Sequence, residues 1–281
     1  MFASKQSRAE RNYYMRLFCF LLAAGISGCG HIQAMSPRMT PASAPPDIDS
    51  SAAQWYELAG SKGHQFVTAV LRPQGTGPFP VVVVLHSAGG LTKSFLSLGE
   101  DLARAGFLVV VGCWQAGEAR TPGNAVCAKA TPQAEWVADP AGNSGKELIA
   151  MARTLPDAKA DRVGLYGISR GGHAALWAAS TGAGVQAVVA DAPAHRPAIT
   201  PAPASSQDVV AGLDAPLLIL HGTADRSIPV EQSREYERAA RALGKSIVVV
   251  YFEGAGHMPS LLPESQIEAR KRAIAFLREK L

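Results

Sequence analysis

From about residue 55 the chain alternates short unbroken apolar runs with longer stretches whose apolar positions recur at helical spacing. This predicts a hairpin near 55–71, strands at 81–85, 107–112, 162–167, 185–190, 216–220 and 246–252, and helices at 95–105, 144–154, 171–180, 230–243 and 264–280. Strands that are apolar on both faces, alternating with helices, imply a mostly parallel, doubly wound α/β sheet covered on both sides. Between 191 and 216 there is only a Pro/Ala-rich loop, too short for a cap domain, so any site at that edge should be open. No internal repeat is apparent.

Three of these strands end in loops that carry chemistry. The run Tyr166-Gly167-Ile168-Ser169-Arg170-Gly171-Gly172 reads as a strand turning sharply into a helix with a serine at the bend. Glycines at 167 and 171 suit a tight elbow that leaves little room for Cβ atoms and lifts the hydroxyl clear of the sheet. Alone, Gly-x-Ser-x-Gly arises by chance in roughly one such chain in five, so context decides. Asp225 falls just past the strand 216–220, and His257 follows the strand 246–252 in the matching place. In a parallel sheet all three loops emerge at the carboxyl edge, where open α/β folds build their sites. The order Ser169, Asp225, His257 is that of the α/β-hydrolase triad.

On those motifs the chain resembles an α/β-hydrolase, in style the dienelactone hydrolase and small secreted esterase branch, over roughly residues 55–281. It departs at one point: dienelactone hydrolases proper carry a cysteine nucleophile where this chain has Ser169. The resemblance implies a serine hydrolase of carboxylic esters acting through an acyl-enzyme. Ser169 is then the nucleophile, His257 the general base, and Asp225 the residue that orients the imidazole. The oxyanion needs two backbone donors: the amide of Arg170, and one from the loop His86-Ser87-Ala88-Gly89-Gly90, which resembles the family's His-Gly-x-Gly loop and favours Ala88, with Ser87 next. Asp191, after the strand 185–190, is the rival acid. His86 and His221 are expected to hold loops, His173 to lie in the helix after the elbow, and Arg170 and Arg226 to be surface arginines. A peptidase of the same fold and an inactive binding protein on this scaffold are the alternatives; the chain lacks the length for the propeller of the prolyl oligopeptidases.

The amino terminus changes the picture of where the protein works. Lys5, Arg8, Arg11 and Arg16 precede an apolar stretch at 17–26 that is too short for a comfortable membrane span, the pattern of an export signal. It ends Ile26-Ser27-Gly28-Cys29, resembling a bacterial lipobox in which Cys29 is acylated and becomes the first residue. Residues 1–28 are thus expected to be removed. Residues 29–52, rich in Pro, Ser and Ala, should form a lipidated flexible tether, and 53–281 a single hydrolase domain. The expected location is the bacterial envelope, on the periplasmic face of the outer membrane in a Gram-negative host, since Gly30 follows the cysteine. The signal carries four basic residues and one acid, which is three of the formal +4, so the remaining chain is near +1. With no basic patch interleaved with aromatics, nucleic acid is not an expected partner. A small ester and the membrane, through the anchor, are.

Of the four cysteines, Cys19 leaves with the signal and Cys29 takes the lipid. Cys113 and Cys127 remain as a candidate disulfide pinning the loop after the strand 107–112, contributing ~3 kcal/mol in the chain-entropy account. Seven histidines are scattered without zinc-ligand spacing, so neither metal nor cofactor is expected.

Overall fold

The computed structural model describes residues 38–45, 48, 50–59, 65–114, 142–194 and 206–281. They build a nine-stranded sheet in the order β1-β2-β3-β5-β4-β6-β7-β8-β9. The strands are β1 (Arg38–Pro41), β2 (Ala53–Ala59), β3 (Gln65–Leu71), β4 (Phe79–Leu85), β5 (Leu108–Gly112), β6 (Ala158–Ile168), β7 (Ala187–Asp191), β8 (Leu217–Gly222) and β9 (Ile247–Phe252). β1, β2 and β3 form an antiparallel arm joined to β5. From β5 across to β9 every pairing is parallel.

Helices α1 (Lys93–Arg104) and α6 (Gln266–Lys280) cover one face. On the other lie α2 (Gly142–Arg153), α3 (Arg170–Ser180), α4 (Ser206–Ala211) and α5 (Glu231–Ala242). With helices on both sides, residues 81–85 of β4 and the whole of β5, β7 and β8 are buried, which is why these strands are apolar throughout rather than alternating. Among the described residues there is no large cap domain, and no helix is long and apolar enough to cross a membrane.

The mostly parallel, doubly wound sheet expected from the pattern is present, with the hairpin as β2 and β3. Two expectations are corrected. The flexible tether through residue 52 ends too late: residues 38–41 pair with 56–59 as an edge strand, the Ala42 amide donates to Trp55 O (2.9 Å), and Ile48 is fully buried. That pairing is made by backbone groups, to which side-chain periodicity is blind, and an edge position tolerates Pro41. Likewise the segment between Asp191 and Pro216, read as loop alone, contains α4, which buries Val209 and Val210. The expected signal segment 1–28, Cys29 and Cys127 lie outside the described residues.

The chain runs from β4 to β5 on one side and then to β6 on the other, so strand order reverses at β4. Leu85 and Gly167 are register partners at the carboxyl ends of β4 and β6. The crevice at such a reversal is where open α/β sheets take ligands. Here it is flanked by the loop starting at His86 and by the turn bearing Ser169.

Candidate active site

At the end of β6 the backbone turns through Ser169 with φ 56° and ψ −115°, a left-handed conformation costly for a residue with a Cβ, of order 1–3 kcal/mol. The turn is enforced from both sides. The Ser169 amide donates to Asp191 O (2.7 Å), and the Ser169 carbonyl accepts from the amides of His173 and Ala194 (both 3.2 Å). The flanking glycines are there for space: a Cβ on Gly167 would lie 2.1 Å from Gly171 O, and one on Gly171 2.1 Å from Leu85 O. Helix α3 therefore starts hard against the sheet, with Ser169 at its N-terminus.

The serine hydroxyl meets the histidine loop. His257 Nε2 lies 2.9 Å from Ser169 Oγ, and His257 Nδ1 lies 2.6 Å from Asp225 Oδ2. These contacts join residues 88 and 32 positions apart in sequence, brought together by the parallel order of β6, β8 and β9. Asp225 is held by its own loop, because Oδ1 accepts from the amides of Ser227 (2.8 Å) and Ile228 (2.9 Å). That fixes Oδ2 toward the imidazole. Ser169 and Asp225 are buried, while the His257 side chain keeps 19% of its surface exposed, so the imidazole edge is the part of the chain that faces solvent.

His221 supports this loop. Its Nε2 is 3.0 Å from Ile228 O and 3.3 Å from Asp225 Oδ2, and its Nδ1 is 2.6 Å from Ser233 Oγ. Burial lowers its pKa, favouring the neutral ring. A carbonyl only accepts, so Nε2 carries the proton and Nδ1 accepts from the serine hydroxyl.

His86 does similar work on the opposite loop. It is fully buried against Phe95 and Trp114, and burial lowers its pKa to about 4. Its Nδ1 sits 2.8 Å from Ser87 O, which also accepts from the Gly90 amide (3.1 Å), while Trp114 Nε1 donates to His86 O (2.9 Å). The peptide planes leading into Ala88 are thereby oriented.

Both histidines hold loops, as expected, and His173 lies buried in α3. Arg226 is exposed; Arg170 is half-buried, and desolvation lowers its pKa to about 10. Asp191, the rival acid, is fully buried and its carboxylate bonds Ser260 rather than His257; burial raises its pKa to about 7. Ser260, Arg270 and Trp114 carry no local sequence signal: each acts through a partner distant along the chain. Cys113 is buried just past β5. Among the described residues no group of three or more His, Cys, Asp or Glu side chains is gathered to hold a metal.

Comparison with known proteins agrees with this architecture. The model of the dienelactone hydrolase family matches residues 66–274. A Bradyrhizobium protein described as a "probable 2-oxo-3-(5-oxofuran-2-ylidene)propanoate lactonase" is 28% identical over 213 residues, 74% of this chain and 84% of its own. Among solved structures, a dienelactone hydrolase from Anabaena variabilis superposes with a TM-score of 0.59 at 18% identity, covering 88% of this chain and 99% of its own. A dienelactone hydrolase-like promiscuous phosphotriesterase from metagenomic libraries gives 0.66 at 19% identity, covering 81% and 98%. At those identities the two structures speak for the fold.

Proposed function

Because the chain belongs to the dienelactone hydrolase family and is a hydrolase, serine-dependent in this fold, we propose that it cleaves carboxylic esters, lactones included, through an acyl-enzyme on Ser169. The reading is carried by one observation: Ser169 Oγ, His257 and Asp225 form an unbroken hydrogen-bonded chain at the switch point of the sheet.

The chemistry follows from the donors and acceptors in place. With Asp225 Oδ2 accepting from Nδ1–H, His257 has its Nε2 lone pair directed at Ser169 Oγ and takes the hydroxyl proton as Oγ bonds to the substrate carbonyl carbon. The negative charge on the former carbonyl oxygen is received by the backbone amides of Arg170 and Ala88. One is the first residue of α3, at the positive end of the helix dipole; the other is on the loop held by His86. Collapse breaks the C–O bond, and Nε2–H protonates the leaving alkoxide. Water, deprotonated by the same Nε2, then attacks the acyl-enzyme and releases the acid and Ser169 Oγ–H.

Short acyl groups are the favoured substrates. The described residues include no large cap domain and offer little apolar wall for a long chain, and each CH₂ left in water forgoes ~0.8 kcal/mol of binding. The Bradyrhizobium relative, a lactonase by description, supports cyclic esters within the same class. The amino-terminal pattern adds that the enzyme is a lipoprotein anchored through Cys29 in the bacterial envelope. A panel of aryl acetates, long-chain triglycerides, lactones and peptide amides, run beside Ser169→Ala and a fluorophosphonate probe, tests the activity. Fast turnover of short esters or lactones that vanishes in Ser169→Ala is expected. A peptide amide as the best substrate would convert the reading to a peptidase, and an unlabelled, inactive protein would leave a binding scaffold.

A further inference from the structure

A second buried carboxylate stands behind the site, and its partners all lie on segments that carry the reacting groups. Asp191 is the last residue of β7 and fully buried. Its Oδ2 accepts from the Ser260 amide (2.9 Å) and from the Ser260 hydroxyl, while Oδ1 has no hydrogen-bond partner among the described residues. Ser260 is itself fully buried, three residues beyond His257, and the intervening backbone takes a left-handed turn at Met258 (φ 65°).

The Ser260 carbonyl is tied from the other side. It accepts from Arg270 Nε on α6 (2.9 Å), and Arg270 Nη1 bonds Asp101 Oδ2 (2.6 Å) and Ser97 Oγ (3.1 Å) on α1. Every polar group of Ser260 is thus engaged: it bonds β7 and α6 directly, and Arg270 carries the tie on to α1. Meanwhile the backbone carbonyl of Asp191 receives the Ser169 amide at 2.7 Å. One residue therefore holds the nucleophile's backbone with its carbonyl and the histidine's loop with its carboxylate.

We propose that Asp191 is a positioning residue for catalysis: through Ser260 it fixes the loop that aims His257 at Ser169. A carboxylate buried in an apolar sheet is costly, and packing alone would be met by a leucine. What an apolar side chain cannot supply is an acceptor for two Ser260 donors, without which the short segment from His257 to Ser260 loses its tie to the sheet. A displacement of about 1 Å in a catalytic group lowers rates by about 100-fold. Asp191 touches neither substrate nor His257, so it acts only through the loop.

The proposal rests on the serine-hydrolase reading, and the test separates the two. In the full-length chain the rate constant and the final extent of labelling by a fluorophosphonate probe are measured for wild type, Asp191→Leu, Asp191→Asn and Ser260→Ala. Loss of folded protein lowers the extent labelled; a misaimed base lowers the rate constant. Asp191→Leu is expected to label about 10–100-fold more slowly per competent site. Asp191→Asn, whose amide oxygen still accepts from Ser260, should return to within about threefold of wild type. Should Asp191→Leu not fold, Ser260→Ala, which removes only the hydroxyl, must show a several-fold slower rate constant at full extent. An unchanged rate constant in the folded variants, or Asn as slow as Leu, overturns the positioning role while leaving the hydrolase reading intact. Absence of labelling in wild type removes both.

Discussion

Replacing Asp225 by asparagine leaves the shape of the side chain intact and reverses the direction of one hydrogen bond. The aspartate accepts at both oxygens: Oδ1 from the Ser227 and Ile228 amides at 2.8 and 2.9 Å, and Oδ2 from His257 Nδ1 at 2.6 Å, with His221 Nε2 at 3.3 Å. An amide has one oxygen. Two backbone donors demand it at the Oδ1 place, since an NH₂ facing them would strand the buried Ile228 amide at ~1–3 kcal/mol and repel the part-buried Ser227 amide. The NH₂ therefore faces His257 Nδ1, which must now accept, and the ring proton moves to Nε2, pointing at Ser169 Oγ across 2.9 Å. The imidazole becomes a donor to the serine and cannot act as its base. A wrong tautomer of this kind costs about 10⁴ in kcat, about 5 kcal/mol of barrier, with KM little changed because the imidazole binds no substrate. Ser169→Ala should be worse, at about 10⁶. Burst kinetics with an aryl acetate give kcat and KM separately. Turnover of Asp225→Asn within tenfold of wild type, or a deeper loss in Asp191→Asn, would refute the tautomer argument and the choice of acid.

The other expectations concern space, charge and the cysteines. Gly171→Ala puts a Cβ against the backbone at Leu85 O and His86 O, roughly 1 Å inside ordinary contact. It should destabilise by ~1–3 kcal/mol and cut turnover about 100-fold, whereas Gly182→Ala, with open space around its Cβ but a φ of 86° that strains an alanine, should lose some stability and leave turnover unchanged; parallel kinetics and melting curves compare them. Asp191 holds a proton to about pH 7 when folded but only to about 3.8 in the ordinary state, so its contribution is present below pH 4 and lost as pH rises toward 7. Asp191→Asn should therefore gain stability relative to wild type from pH 4.5 to pH 8, by at most ~4 kcal/mol, and a pH-independent difference in denaturant midpoint would refute this. Cys113→Ser should lower the melting temperature without altering the labelling rate of Ser169 if Cys113 and Cys127 are joined; thiol counting on the unfolded, unreduced protein that finds both free would defeat the pairing. Cys29→Ala should leave the chain unprocessed or released from the membrane fraction, and an intact mass showing an unmodified terminus at another residue in wild type would end the lipoprotein assignment.

The elbow, the strand-end aspartate and the strand-end histidine were legible because each is a local signal, an apolar run followed by a turn with its chemistry attached. The parallel order of the sheet then does the rest of the assembly. What escaped is non-local or side-chain-blind. β1 is held by backbone pairing at an edge and shows no alternation to read; α4 is too short to show a period. The Asp191–Ser260 contact joins residues 69 apart, and no spacing rule makes a serine after Met258-Pro259 the partner of a strand-end carboxylate.

The choice between two candidate acids shows where the boundary falls. Asp191 and Asp225 sit at the carboxyl ends of neighbouring strands, so topology alone brings either within reach of the histidine loop. They differ in where the chain stops being a strand. Asp191 is still within β7, with its carbonyl engaged by Ser169 and its side chain committed to the buried interior beside Ser260. Asp225 lies past the end of β8, in a turn whose own amides grip one carboxylate oxygen and leave the other aimed at His257. In the proposed mechanism the turn residues Ser227 and Ile228 thus select the acid, by freezing a carboxylate in the one orientation that an imidazole at the end of the next strand can use. The strand residue, denied that freedom, is left to hold the loop in place.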